Sequence, residues 1–184
     1  MKKNKKAMVK YKNNIDTLLP QICKGLSKDP LSSILPAVKK IVVLGDIHGD
    51  WESLMDVLEL SKVIKRTNPN IWIGGETVIV QVGDQIDNNR DVGNIDSNED
   101  EAYDIKILKY MTELHNIASK DGGAVYSLLG NHEIMNVMGD FRYVSKKNMD
   151  IFENHKKSDG KIIKNAKTAR KWAFSNGNDL ANFL

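Results

Sequence analysis

Three apolar, β-branched runs, residues 41–44, 78–82 and 124–129, each end in a glycine that leads straight into polar, metal-competent residues. The three continuations are Gly45-Asp46-Ile47-His48-Gly49, Gly83-Asp84-Gln85-Ile86-Asp87 and Gly130-Asn131-His132-Glu133. Runs of this composition read as buried strands, and glycine at the end of each lets the backbone turn sharply. If the runs are strands of one sheet, their tips bring the three clusters together.

The rest of the pattern alternates strand and helix and gives an α/β class. A strand is expected to Leu44, a helix over about residues 51–65, and strands near 71–73 and 77–82. Ile105, Leu108, Met111, Leu114 and Ile117 recur at helical spacing and give the next helix one buried face. A strand at 124–129 follows, and from Glu133 onward the chain reads as mainly helical, anchored by Phe152, Ile162, Ile163, Trp172 and Phe174. Trp51, Trp72, Trp172, Met135 and Met138 are expected to pack in the core or a subdomain. His115 is expected to face solvent and His155 to sit on an exposed face, neither as a ligand.

Length and charge bound the organisation. The chain's 184 residues suit one domain, preceded by a basic leader at residues 1–39 that three prolines keep from forming long helices. Residues 1–40 hold ten Lys against Asp16 and Asp29, a charge of +8, so residues 41–184 carry −5 within the overall +3. No aromatic residue interleaves the first six positions, which favours a solvated tail over a nucleic-acid-binding arm. No apolar run approaches the roughly 20 residues of a membrane span. With a single cysteine, Cys23, read as a packed thiol, an intracellular, soluble, cytoplasmic setting is expected.

The clusters supply what hydrolysis of a phosphate ester by two divalent cations requires: a bridging carboxylate, separate ligands for each ion, and a water made nucleophilic by the metals' charge. Asp46 and His48 are placed to clasp a first ion, Asp84 to bridge to a second, and Asn131 to give the second its side-chain oxygen. Mixed imidazole, amide and carboxylate donors suit Mn, Fe or Zn rather than Ca²⁺. His132 is left to act as general acid, with Asp87 orienting its ring, and Arg90 and Arg142 are candidate phosphate donors. Taken singly, Asp46 also suits a helix cap, Asp84 and Asp87 suit turns, and His132 suits a structural role.

In combination these residues resemble the calcineurin-like metallophosphoesterases, and among them the bimetal Ser/Thr protein phosphatases with GDxHG, GDxxDRG and GNHE motifs. The stretch from Leu128 to Val144, which reads LLGNHEIMNVMGDFRYV, is similar to that of Shewanella-like protein phosphatases. The match covers about residues 40–145 and extends to about 180, so residues 40–184 are read as the N-terminal part of such a domain. The resemblance implies an αββα sandwich of two mixed sheets flanked by helices. It also implies Asp46, His48 and Asp84 on the first metal, Asp84 and Asn131 on the second, and His132 with Asp87 as the acid pair.

Two departures from the family pattern follow. The family's phosphate-clamping Arg is replaced by Asn88, and Arg90 is expected to reach back across the loop. Two later histidine ligands of the family are absent, so the chain is expected to expose one sheet face and to self-associate or take a second chain. The leading expectation is hydrolysis of phosphomonoesters on a phosphorylated protein, of the Ser/Thr type. A catalytically inactive phosphate- or phosphoprotein-binding fragment, and a dinucleoside polyphosphate or small-phosphoester phosphatase, are the alternatives.

Overall fold

The computed structural model describes residues 35–88 and 102–183. Residues 38–184 cluster as one compact unit, and its centre is a three-stranded parallel sheet in the order β1-β2-β3. Strand β1 is Ile41–Leu44, β2 is Val78–Gln81 and β3 is Ala124–Ser127. The register runs from Ile41, Val78 and Ala124 to Leu44, Gln81 and Ser127, so all three strands end level and release their loops at one edge.

Parallel neighbours need a crossover, and two helices supply it: α1 (Trp51–Leu60) between β1 and β2, and α2 (Asp104–Ala118) between β2 and β3. Asp50, rather than Asp46, caps α1, accepting from Ser53 N at 2.9 Å, which leaves the Asp46 carboxylate free of that task. Leu54, Met55 and Leu58 of α1 and Ile107, Tyr110, Met111 and Leu114 of α2 pack with Leu44, Ile79 and Val125 of the sheet. Strand alternation turns Ile41 and Val43 the other way, where they are 59% and 64% exposed. The predicted open apolar face is therefore present at β1.

The remainder builds a second cluster behind α2. Helix α3 (Asn131–Met138), the short α4 (Lys146–Asp150) and α5 (Ala166–Phe174) follow β3, with a hairpin of β4 (His155–Lys156) and β5 (Ile162–Ile163) before α5. Phe152, Ala169, Ala173, Phe174 and Leu180 close on Leu108 of α2 and on Ile86 from the loop after β2. Helix α2 thus faces the sheet on one side and α5 on the other.

Several expectations are corrected. Helix α1 stops at Leu60 because Ser61 Oγ turns back to the Val57 carbonyl and Lys62 takes a left-handed φ of 59°. Residues 71–73 form no strand: Trp72 is buried and donates to Gly75 O, while Ile71 and Ile73 stay exposed. The β4–β5 hairpin interrupts the helical C-terminal part; its two residues per strand carry no readable alternation. His115 does not face solvent, because its Nδ1 lies 2.9 Å from Val125 O along the outer edge of β3. Met138 is 71% exposed rather than packed. The expected α/β fold class holds: the main sheet is parallel and flanked by helices, and it is the one large sheet among the described residues. Cys23 and Arg90 lie outside the described residues.

Candidate metal and proton-transfer site

The loops after the three strands are stitched together by their own backbones. Asp84 O accepts from Ile47 N and His48 N, both at 2.9 Å, and Gln85 O accepts from Gly49 N at 2.9 Å, so the first loop hangs on the second. The buried Gln81 side chain adds a clasp, taking Gly83 N at 2.9 Å and donating to Gly83 O at 2.6 Å and Gly45 O at 3.2 Å. The third loop closes on the second through Glu133, which is fully buried and accepts from Asp84 N (2.9 Å), Gln85 N (2.8 Å) and Gly130 N (2.8 Å). The second and third loops approach so closely that a Cβ on Gly83 would overlap Gly130 N, and Gly83 also takes a φ of +102°.

Convergence of the side chains follows. A ring nitrogen of His48, one of His132 and a carboxylate oxygen of Asp84 lie within 4.8 Å of one another. His48 Nδ1 sits 3.2 Å from Ile86 O, which fixes the ring with Nε2 outward, and that Nε2 is 3.5 Å from Asp46 Oδ2. This is how a metal-binding imidazole is held, with one nitrogen on a carbonyl and the other presented. Asp46 is largely exposed, ready to turn toward an ion. Asp84 Oδ1 accepts the His132 N–H at 3.0 Å, leaving its second oxygen for coordination. Asn131 opens α3 beside His132 and is exposed. The donor set, carboxylate and imidazole from separate loops, fits a borderline divalent cation.

The two residues expected to act as a proton-transfer pair, His132 and Asp87, are in contact. His132, 4% exposed, places Nδ1 3.1 Å from Asp87 Oδ2, and Asp87 is fully buried. The His132 ring packs edge-on against His48 at 4.7 Å between centroids and against Tyr143 at 5.0 Å. With Nδ1 engaged, Nε2 is the nitrogen available to a substrate. Arg142 is not gathered into the cluster: it lies exposed and forks onto Asp140, with Nη2 2.8 Å from Oδ2 and Nε 3.1 Å from Oδ1. That pairing lowers the Asp140 pKa and raises that of Arg142.

Residues that sequence reasoning left without a role surround this pair. Asn136 donates Nδ2 to both Asp87 oxygens at 3.0 and 2.8 Å, and its helical spacing of four from His132 is a signal that points to one shared face. Glu133, three residues after the Gly130 cap, carries the local signature of a capping acid. Asp104 and Arg170, both fully buried, join Asp87 from α2 and α5, and nothing near them in sequence announces it.

The chain is similar to known proteins over most of its described length. A family model described as calcineurin-like phosphoesterase matches residues 39–181. Shewanella-like protein phosphatase 2 of Arabidopsis thaliana is 33% identical over 147 residues, 76% of this chain and 34% of that protein. Shewanella-like protein phosphatase 1 of Plasmodium berghei is 37% identical over 113 residues, 61% of this chain and 27% of that one. The crystal structure of a cold-active protein-tyrosine phosphatase from a psychrophilic Shewanella species matches with a TM-score of 0.50 and 32% identity, over 66% of this chain and 35% of that one. The chain spans about a third of the length of these relatives.

Proposed function

The chain belongs to the calcineurin-like phosphoesterase family, and from that premise we propose that it hydrolyses phosphomonoesters on phosphorylated proteins, with phosphoserine or phosphothreonine as the substrate residues and two divalent cations (Mn, Fe or Zn) as cofactors. The observation that carries this reading is the convergence of His48, Asp84 and His132 within 4.8 Å, with His132 backed by a buried carboxylate. Asp46, His48 and Asp84 would hold the first ion, and Asp84 and Asn131 the second. When bound, such ions neutralise phosphate charge and lower the pKa of water to near neutrality.

The chain's own residues do the rest. His132 presents Nε2–H to the leaving oxygen and delivers that proton there, while its Nδ1–H stays hydrogen-bonded to Asp87, which holds the ring in place. The wall formed by Tyr143 and His48 keeps the imidazole from rotating out of line. Arg90 is the phosphate donor in this reading; Arg142 would have to leave Asp140 to help. A second reading, phosphotyrosine, is favoured by the name of the solved Shewanella structure, a protein-tyrosine phosphatase. A second copy or a separate chain over the open face of β1 is part of the same proposal.

The test is p-nitrophenyl phosphate hydrolysis with Mn²⁺, followed by phosphoserine, phosphothreonine and phosphotyrosine peptides, beside an Asp84→Asn control. Turnover that the control abolishes, with two ions bound per chain, is expected. Folded protein that binds one ion or none and turns nothing over would replace the enzyme reading with the binding-fragment one.

A further inference from the structure

Among the described residues the largest fully buried side chain is Arg170 of α5, and the proposed mechanism gives it no work. A guanidinium removed from water is costly unless every N–H finds an acceptor and its charge a counter-charge. Here Nε donates to Asn136 Oδ1 at 2.7 Å, Nη1 to Asn148 O at 2.9 Å, and Nη2 to Asp104 Oδ2 at 2.8 Å and Asp87 Oδ1 at 3.4 Å. Phe152 and Phe174 flank the plane, with ring centroids 5.3 and 5.1 Å from Cζ. One residue thereby reaches the loop after β2 and helices α2, α3 and α4.

The polarity of these bonds propagates in one direction. Arg170 has donors only, so it selects the oxygen of the Asn136 amide. Asn136 must then turn Nδ2 toward Asp87, where it donates to both carboxylate oxygens. Asp87, already receiving from Asn136 and Arg170, accepts on Oδ2 from His132 Nδ1. The backbone of Asp87 is fixed separately: its φ of 70° is left-handed, and its N–H donates to Asp104 Oδ1 at 3.1 Å. Asp104 is held in turn by Arg170 and by its own N–H on Asn148 Oδ1 at 3.2 Å.

We propose that Arg170 and Asp104 are positioning residues for the acid: through Asn136 and Asp87 they lock His132 with Nδ1–H on Asp87, so that the proton given to the leaving oxygen is the one on Nε2 and the Nδ1–H tautomer is what remains. This rests on the reading of His132 as the proton donor, but the lock itself is built from the chain's own side chains. The pairing also answers an electrostatic difficulty. Burial pushes the Asp104 carboxyl above its usual range, and the Arg170 guanidinium opposes that push. A simple structural staple between α2 and α5 would not need Asn136 in one amide orientation or a contact to Asp87.

The experiment is long-range ¹H–¹⁵N NMR of the histidine rings and the arginine guanidinium in the full 184-residue chain without metal. Wild type is expected to show neutral His132 as the Nδ1–H tautomer and separate, slowly rotating Nη–H signals for Arg170. Finding the Nε2–H tautomer, or a freely rotating guanidinium, overturns the proposal without any variant. Arg170→Lys keeps the charge and loses the fork, and Asp104→Asn keeps the shape and turns a donor toward Arg170; in both, the Nδ1–H population should fall. Variants that fold and leave that tautomer unchanged also overturn it.

With Mn²⁺, the same variants should lose about 10- to 100-fold in kcat with KM little changed, and more on phenyl than on p-nitrophenyl phosphate, because the poorer leaving group needs the acid more. Equal losses on both esters overturn the role in proton transfer. A wild-type chain that has the tautomer but no turnover refutes the hydrolytic reading and leaves the lock standing.

Discussion

Adding one methyl group at Gly130 tests whether the site depends on the close approach of two loops. Gly130 has φ −90° and ψ −175°, extended backbone that alanine adopts without strain, so Gly130→Ala acts through sterics alone. The new Cβ would overlap Asp84 Oδ1 and N and lie 2.8 Å from Asp84 Cγ. Relief requires moving Asp84, the proposed bridging ligand, and breaking its 3.0 Å bond from His132 N. Overpacking of this kind costs about 1–3 kcal/mol and the lost bond about 1 kcal/mol, so unfolding free energy should drop by roughly 2–4 kcal/mol. Displacement of the ligand should weaken Mn²⁺ binding by at least about 10-fold, on the scale of changes that disturb ligand orientation. Gly45→Ala is the control, because Gly45 also precedes a motif aspartate yet has nothing within 4 Å of an added Cβ. Urea unfolding and calorimetric Mn²⁺ titration of both variants decide the matter. If Gly130→Ala matches Gly45→Ala in stability and affinity, the loops are not in the contact described.

Three further outcomes are expected. Glu133→Gln places an amide N–H₂ among three backbone N–H donors, which should cost about 1–3 kcal/mol for the unsatisfied donors and weaken metal binding as well; unchanged urea midpoint would contradict the role given to Glu133. Burial pushes the Tyr110 hydroxyl from 10.0 up to about 12, so between those pH values the unfolded chain loses this proton first and stability falls as pH rises, by roughly 2 kcal/mol. Tyr110→Phe removes that component, and equal alkaline slopes in denaturant melts of wild type and variant would refute it. Replacing exposed Ile41 and Val43 by Thr should leave unfolding free energy within about 0.5 kcal/mol while shifting sedimentation toward monomer; no change in self-association would show that this face is not the contact.

The parts of the fold legible in the sequence were those written in local pattern. Strands β1, β2 and β3 announced themselves because each is apolar along its length and ends in glycine, and α2 because Leu108, Met111 and Leu114 repeat at helical spacing. The β4–β5 hairpin did not, since two paired residues per strand give no periodicity. His115 was misread because its partner is a backbone group of Val125 on the strand edge, and edges have no sequence signature. The convergence of the candidate ligands His48 and Asp84 with His132 was readable from motif spacing, whereas the support of Asp87 was not: Arg170 stands 83 positions away and Asp104 joins it only through the packing of α5 on α2.

The backbone explains why the site needs such distant support. His48, Asp84 and Asp87 are non-glycine residues in the left-handed region, with φ of 48°, 55° and 70°. Each such conformation costs about 1–3 kcal/mol, toward the lower end for Asp and His, which tolerate it better than most residues. In every case the residue's own N–H is taken by another part of the site: His48 N by Asp84 O, Asp84 N by Glu133 Oε2, and Asp87 N by Asp104 Oδ1. The dependence therefore runs in series, with Glu133 holding Asp84, which holds His48, and with Arg170 holding Asp104, which holds Asp87. Loss of the first member in either series frees the strained residues it supports, so changes at Glu133 and at Arg170 should lower stability and site order together rather than trade one for the other.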